Sequence, residues 1–349
     1  MTIQSPDKKM IKVLSGQVME TPPVWLMRQA GRYLPEYRAT RAQAGDFLSL
    51  CYNPELACEV TMQPLRRYAF DAAILFSDIL VIPQALGQTL TFTAGEGPQL
   101  PPIRNNADLN KLSLDRLDDT LAPIYQTLKN LRKAFIAENC DETTLIGFAG
   151  SPWTIACYMV EGQGSRDFAA PKIFLHNDES SFNKLIDLIT DATIHYLSEQ
   201  IKAGAEVIQL FDSWAGSADE DVFNRYVIKP TAKIVNALKT SYSHVKIIGF
   251  PRGAGFMYQD YIEKTKVDAV GLDTNVTLAH ALTLQKIVPI QGYLDPILLL
   301  SGGTALDKRV RMMLENLKEG PYIFNLGHGI IKETDPANVT QLINIIRNT

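Results

Sequence analysis

The chain has 349 residues, 46% hydrophobic and 21% charged, and its 34 basic against 38 acidic side chains give a formal net charge of −4. That length supports a large buried core and that composition is of an ordinary globular protein. A mildly acidic balance excludes non-specific nucleic-acid binding through a broad basic face, although a few converging arginines can still hold an anion.

Residues 1–16 carry lysines but no apolar run of signal-peptide length, and are expected to form a flexible N-terminal segment ahead of one catalytic domain spanning 17–349. No apolar stretch approaches the roughly 18 residues of a membrane span, so no membrane association is expected. Cys51, Cys58, Cys140 and Cys157 form no Cys-x-x-Cys pair, and a reducing cytoplasm is the expected location. From there short apolar runs alternate with longer helical patterns. The candidate strands are 24–27, 72–76, 144–148, 206–211, 245–250, 269–272, 287–291 and 322–325. Apolar positions recur every three or four residues through 182–203, which predicts a helix. Ser151-Pro152 reads as a helix start. The stretch 88–106, rich in Gly, Pro and Thr, is expected to make an irregular excursion or hairpin at the mouth of the fold. Apolar strands alternating with helices imply a covered parallel sheet. Eight of them predict an α/β fold, a single-domain (β/α)8 TIM barrel with extra loops at its C-terminal face, with an open doubly wound sheet as the alternative.

Active sites of such barrels lie at the C-terminal ends of the strands. The polar residues that follow the candidate strands are Arg28-Gln29, Ser77-Asp78, Gly150-Ser151, Asp212-Ser213, Arg252, Asp273, Tyr293 with Asp295, and His328. There is no Gly-x-Gly-x-x-Gly, no Gly-Lys-Ser/Thr, no His-Glu-x-x-His and no Gly-x-Ser-x-Gly elbow, so nucleotide, zinc and serine-hydrolase sites lack their usual settings. Ser301-Gly302-Gly303 reads either as a phosphate-binding turn or, more simply, as a helix start.

The densest signal is PPVWLMRQAGRYLPEYRATR, with Arg28, Arg32, Arg38 and Arg41 among glycine, proline and aromatic residues. Surface arginines are ordinarily just solvated. Against that, Arg28 directly follows a candidate strand, Gly31 permits a close backbone approach, and the planar guanidinium suits carboxylates. Asp78 in FSDIL reads as a helix N-cap or as a cavity carboxylate, and Asp212-Ser213 shares both readings. Tyr158 falls where a packed core aromatic is ordinary. His328 lies between Gly327 and Gly329, which suits a side chain brought close to a ligand, though a structural histidine fits as well.

Five segments, PVWLMRQAGRYLPEYR, ILFSDIL, GFAGSPWTIACYMVEG, QLFDSWAG and NLGHG, resemble in order the signature segments of the uroporphyrinogen decarboxylase family, across roughly residues 20 to 335. The resemblance implies a (β/α)8 barrel, a homodimer, no metal or organic cofactor, and a carboxy-lyase of porphyrin and haem biosynthesis. Its substrate would be the tetrapyrrole uroporphyrinogen III, whose four acetate arms each lose CO2 to give coproporphyrinogen III. By motif position Arg28, Gln29, Ala30, Gly31 and Arg32 would form a carboxylate-binding loop, and Asp78, Tyr158, Ser213 and His328 would complete the substrate site. Asp78, Arg28 and Tyr158 would be catalytic, with Arg41 at the rim. Three rivals remain: a methyltransferase with a zinc-bound thiol, a non-catalytic tetrapyrrole carrier, and a generic phosphate-binding barrel enzyme.

Overall fold

The computed structural model describes residues 8–93 and 97–349. In chain order its strands are β1 (Ala72–Ile74), β2 (Thr91–Thr93), β3 (Gly97–Gln99), β4 (Thr144–Gly150), β5 (Val207–Asp212), β6 (Lys246–Pro251), β7 (Ala269–Gly271), β8 (Ile290–Leu294) and β9 (Tyr322–Leu326). Seven pair in parallel in the order β1-β4-β5-β6-β7-β8-β9, and β2 and β3 form a separate antiparallel hairpin. The hairpin falls within 88–106, as expected.

The eighth expected strand, 24–27, does not become a regular strand. It contributes one parallel bridge, Val24 to Phe324, and reaches β1 on the other side. There the Asp71 N–H donates to Val24 O at 2.9 Å and the Asp71 carboxylate accepts the Val24 N–H at 2.7 Å. Side-chain amides replace the rest of the ladder: Gln29 Oε1 accepts from Leu26 N, Gln29 Nε2 donates to Ala72 O, and Asn325 Oδ1 accepts from Met27 N. The short segment thereby joins the two ends of the sheet, and the barrel closes. The last expected strand but one is shifted, from 287–291 to Ile290–Leu294. Pro289 has no N–H to offer a ladder, and Ile287 still belongs to the end of the preceding helix through Leu284 O.

Residues 8–16, expected as part of a flexible segment, are held in place. Lys9–Leu14 form a helix whose Met10, Val13 and Leu14 are buried. They pack with Trp25, Met27, Ile146, Val207, Ile248 and Ile323 inside the barrel. The alternation of apolar Met10, Val13 and Leu14 at helical spacing is the physical reason. Lys8 adds an ion pair to Glu206 at 2.8 Å, which Arg132 joins at 3.0 Å. Residues 1–7 lie outside the described residues.

Above this plug the interior turns polar and then aromatic. Trp25 Nε1 donates to Gln291 Oε1, and Gln291 Nε2 donates to Gln209 Oε1. Higher still, Phe148, Phe211 and Phe250 stack edge to face at 5.6 and 6.0 Å.

The helix Glu179–Lys202 matches the expected 182–203 and repairs a gap in the sheet. β1 ends opposite Ile146, so the Phe148 N–H and C=O, which point the same way, have no strand beside them. Buried Gln200 supplies both partners, accepting from Phe148 N and donating to Phe148 O, each at 2.9 Å. Gly147 is required here because a Cβ would collide with Gln200 Oε1. Replacing Gln200→Leu strands two buried backbone groups, at about 1–3 kcal/mol each. A loss of about 2–6 kcal/mol in the denaturant unfolding free energy is expected, and an unchanged midpoint would show the amide to be dispensable.

Candidate active site

A cavity of about 1200 Å³ opens at the C-terminal ends of the strands, above the aromatic layer. It exceeds the ~300–1,000 Å³ of common small-molecule pockets, so it admits a large ligand. Phe148 and Phe211 form part of its floor, and Phe47, Phe92 and Trp214 line its walls. Phe47 packs on Phe92 at 4.8 Å, which ties the β2–β3 hairpin to the rim.

Eight of the nine residues expected to bind substrate line this cavity: Arg28, Ala30, Gly31, Arg32, Asp78, Tyr158, Ser213 and His328. Arg41 lines it too, its guanidinium 5.2 Å from the Phe47 ring centroid. Gln29 does not. Its side chain is buried and fully committed to Leu26 N and Ala72 O, because the barrel closure needs those bonds. Ser301-Gly302-Gly303 is a helix junction: Gly303 exchanges hydrogen bonds with the Gln341 amide, and Gly302 leaves no space for a Cβ beside Asn338.

Arg28 has φ +63°, a left-handed conformation that non-glycine residues seldom adopt. Gly31, expected to supply the tight turn, does so by small size: a Cβ would lie 2.8 Å from Arg28 O. The N–H groups of Ala30, Gly31 and Arg32 donate to no acceptor among the described residues. The Arg28 side chain is exposed, lines the cavity and makes no hydrogen bond among the described residues. Burial lowers its pKa, and Asp78 and Tyr158 raise it in opposition.

Asp78 is not the N-cap of the helix Val81–Ala85, a position that Leu80 holds without a side-chain bond. Oδ1 accepts the Leu80 N–H at 2.8 Å within the turn that precedes that helix, and Oδ2 has no hydrogen-bond partner among the described residues. Burial pushes the carboxyl pKa up, while the Leu80 N–H and Arg28 hold it down. Tyr158 packs 6.0 Å from Trp214, and burial holds its phenol protonated by raising its pKa. The Asp212-Ser213 pair divides its roles. Asp212 points into the protein and accepts from Thr154 Oγ1 at 2.5 Å, and Thr154 Oγ1 accepts the Trp214 N–H at 3.0 Å. Ser213 faces the cavity.

His328 is placed by its glycines. A Cβ on Gly327 would lie 2.5 Å from Thr274 N, and one on Gly329 would collide with the Arg28 side chain. Arg252, which follows β6, lines the same corner. It was visible as a polar residue after a candidate strand but received no role, because no neighbouring motif marks it. Burial first, then Arg28 and Arg252, lowers the His328 pKa from 6.5 to about 4.

The match to known proteins is now decisive. Residues 5–349 match the family model described as uroporphyrinogen decarboxylase (URO-D). The chain belongs to the uroporphyrinogen decarboxylase family. Relatives named uroporphyrinogen decarboxylase include one from Rhodospirillum rubrum, 51% identical over 341 residues that cover 97% of each chain. Another, from Jannaschia sp., is 52% identical over 343 residues, covering 98% of this chain and 99% of the relative. Among solved structures, a methyltransferase from Methanosarcina mazei superposes with a TM-score of 0.79, at 17% identity and 97% coverage of both chains. A B12-independent methionine synthase from Shewanella sp. gives 0.55 at 11% identity, covering 84% of this chain and 88% of that one. At these identities the likeness establishes the fold, and with it the (β/α)8 barrel. Among the described residues no helix is long and apolar enough to cross a membrane.

The His328 environment yields a pH prediction. A folded-state pKa near 4 against the ordinary 6.5 means the unfolded chain takes up this proton first as pH falls. This group's contribution therefore favours folding progressively more as pH rises from about 4 to about 6.5. NMR titration of the imidazole should give a midpoint well below 6, and Arg28→Gln should raise it. A wild-type midpoint between 6 and 7 would contradict the assigned environment.

Proposed function

We propose that this cavity is where the chain acts as a uroporphyrinogen decarboxylase, with Asp78 as the catalytic carboxylate and Arg28 as the main anchor for substrate carboxylates. The observation that carries this reading is that one large cavity brings together an Asp78 oxygen and the Arg28, Arg32 and Arg252 guanidiniums, none with a hydrogen-bond partner among the described residues.

Uroporphyrinogen has a ring of pyrrole N–H groups at its centre and eight carboxylate arms around it. The two features match an acceptor in the middle of a site and cations around it. Pyrrole N–H groups donating to Asp78 would favour its charged form, opposing the effect of burial. Ala30, Gly31 and Arg32 offer free backbone N–H groups beside Arg28, a setting for a further carboxylate.

Each decarboxylation needs a place for the electron pair left by CO2. The substrate's own pyrrole provides it once a ring carbon is protonated. The C–C bond to the carboxylate then breaks, CO2 leaves, and the pair flows into the cationic ring, neutralising it. Protonation of the exocyclic methylene and loss of the added ring proton restore the pyrrole with a methyl arm. One proton is consumed for each CO2 released.

Asp78 accelerates this sequence by stabilising the ring cation without itself moving a proton. Opposite charges about 4 Å apart at an effective dielectric near 20 attract by roughly 4 kcal/mol, on the order of a thousandfold in rate. Neutral pyrroles gain less, so the stabilisation falls mainly on the transition state. Tyr158 and Ser213 offer hydroxyls, and neutral His328 an imidazole, to orient the arms. The chemistry asks for no cofactor, because the pyrrole is the electron sink.

A homodimer and a cytoplasmic location complete the reading. Phe256, 95% exposed after β6, and Ile297, 57% exposed at the cavity rim, support an apolar contact on the cavity-bearing face. Sedimentation of the purified protein should give twice the chain mass.

The deciding assay is anaerobic incubation of the metal-stripped protein with uroporphyrinogen III, followed by oxidation and separation by carboxyl count. Stepwise seven-, six-, five- and four-carboxyl products are expected. A persistent eight-carboxyl peak from folded protein would leave a carrier. Asp78→Asn keeps an acceptor for Leu80 and should retain the fold while losing turnover by on the order of a hundredfold to a thousandfold. Near-normal rates would remove the cation-stabilising role. Arg28→Ala should impair activity far more than Lys→Ala changes on the outer surface; equal losses would mean only a diffuse charge effect.

A further inference from the structure

Arg252 stands in an unusual position for a charged residue. Its side chain is half-buried, lines the cavity, and has no hydrogen-bond acceptor or ion-pair partner among the described residues. The chain readily pairs its arginines elsewhere: Arg66 is held by Glu59 and Glu138, and Arg67 by Glu36. A guanidinium carries five donors, and withdrawing it from bulk water without an acceptor is costly.

Its backbone is fixed on several sides. The Arg252 N–H donates to Asp212 O at 3.1 Å, and its carbonyl accepts the Gly216 N–H at 2.9 Å. The following N–H, of Gly253, donates to Asp273 Oδ2 at 2.6 Å. The loops after β5 and β6 touch through glycines, where a Cβ on Gly216 would lie 2.7 Å from Gly253 O. A flexible surface arginine needs none of this. The arrangement fixes the stretch of backbone from which the Arg252 side chain enters the cavity wall.

Arg28, Arg32 and Arg252 all line this one cavity, and none of their side chains has an acceptor among the described residues. Arg32 and Arg252 both weigh against the charge of Arg28, and Arg28 and Arg252 against that of His328. Cations gathered on one cavity are stabilised by a ligand that brings negative charge. We infer that Arg252 is a second carboxylate-binding residue, holding an arm of the tetrapyrrole against the wall after β6, apart from the arm that Arg28 takes. This rests on Asp78 marking the centre of the bound ring and Arg28 its first anchor.

The test compares Arg252→Gln and Arg252→Lys with the wild-type enzyme in anaerobic initial-rate assays on uroporphyrinogen III, with folding checked by circular dichroism. Losing a charge-assisted bond should raise KM by on the order of tenfold, with a smaller change in kcat. Arg252→Lys retains the charge but not the planar fork, and should fall between. Unchanged KM in Arg252→Gln would overturn the assignment, as would a fall in kcat at unchanged KM. Should the Gln variant fail to fold, Arg252→Lys decides alone: a raised KM supports the site and a wild-type KM refutes it. Asp78→Asn run in parallel keeps the two readings apart. Normal turnover in that variant would remove the cation-stabilising mechanism yet leave the Arg252 comparison of KM intact.

Discussion

The structure hangs on the joint between Val24 and Asp71. Seven regular strands leave a sheet with two open edges, and parallel edges are stable only when covered or closed. Asp71 binds Val24 twice, through its backbone N–H and through its carboxylate, which also accepts from Arg347 Nη2 at 2.6 Å. One carboxylate therefore ties the first strand, the closing segment and the C-terminal helix together. The segment it fixes runs straight on to Arg28, so the joint that completes the barrel also sets where Arg28 meets the cavity. Gln29 spends its side chain on closure while its neighbour Arg28 lines the cavity.

Electrostatics in the cavity follow from the same economy of partners. Outside, arginines are matched by carboxylates in exposed pairs that contribute little each. Inside, Arg28 and Arg252 go unmatched among the described residues, Asp78 keeps one oxygen without a partner there, and burial and the nearby cations lower the pKa of His328. A cavity so composed favours a ligand that brings carboxylates. The left-handed backbone of Arg28 belongs to the same pattern of strain kept at a working residue.

Much of this was legible in the sequence because the relevant physics is local. Apolar runs marked seven strands, the 182–203 periodicity marked a long helix, and polar residues after strands marked most of the cavity. What escaped was set by distant partners. Motif position put Gln29 in a carboxylate-binding loop, and only the folded positions of Leu26 and Ala72 show its side chain to be a staple. Segment 24–27 has the composition of a strand, but side-chain amides from Gln29 and Asn325 replace the ladder it would have made. Met10, Val13 and Leu14 form too short a pattern to stand out, and their burial depends on a barrel end that the sequence does not display. Arg252 carries no motif; its meaning comes from having no acceptor, a property of the folded surroundings.

The plugged lower end of the barrel has a consequence for traffic. With Met10, Val13 and Leu14 packed inside that end and a layer of Trp25, Gln209 and Gln291 above them, the barrel's lower end offers no way into the chamber. Substrate, carbon dioxide and product therefore pass at the end where the strands finish. Each CO2 released takes one negative charge from the ring, so that eight carboxylates become four, and any grip that the cavity arginines exert on those arms weakens step by step.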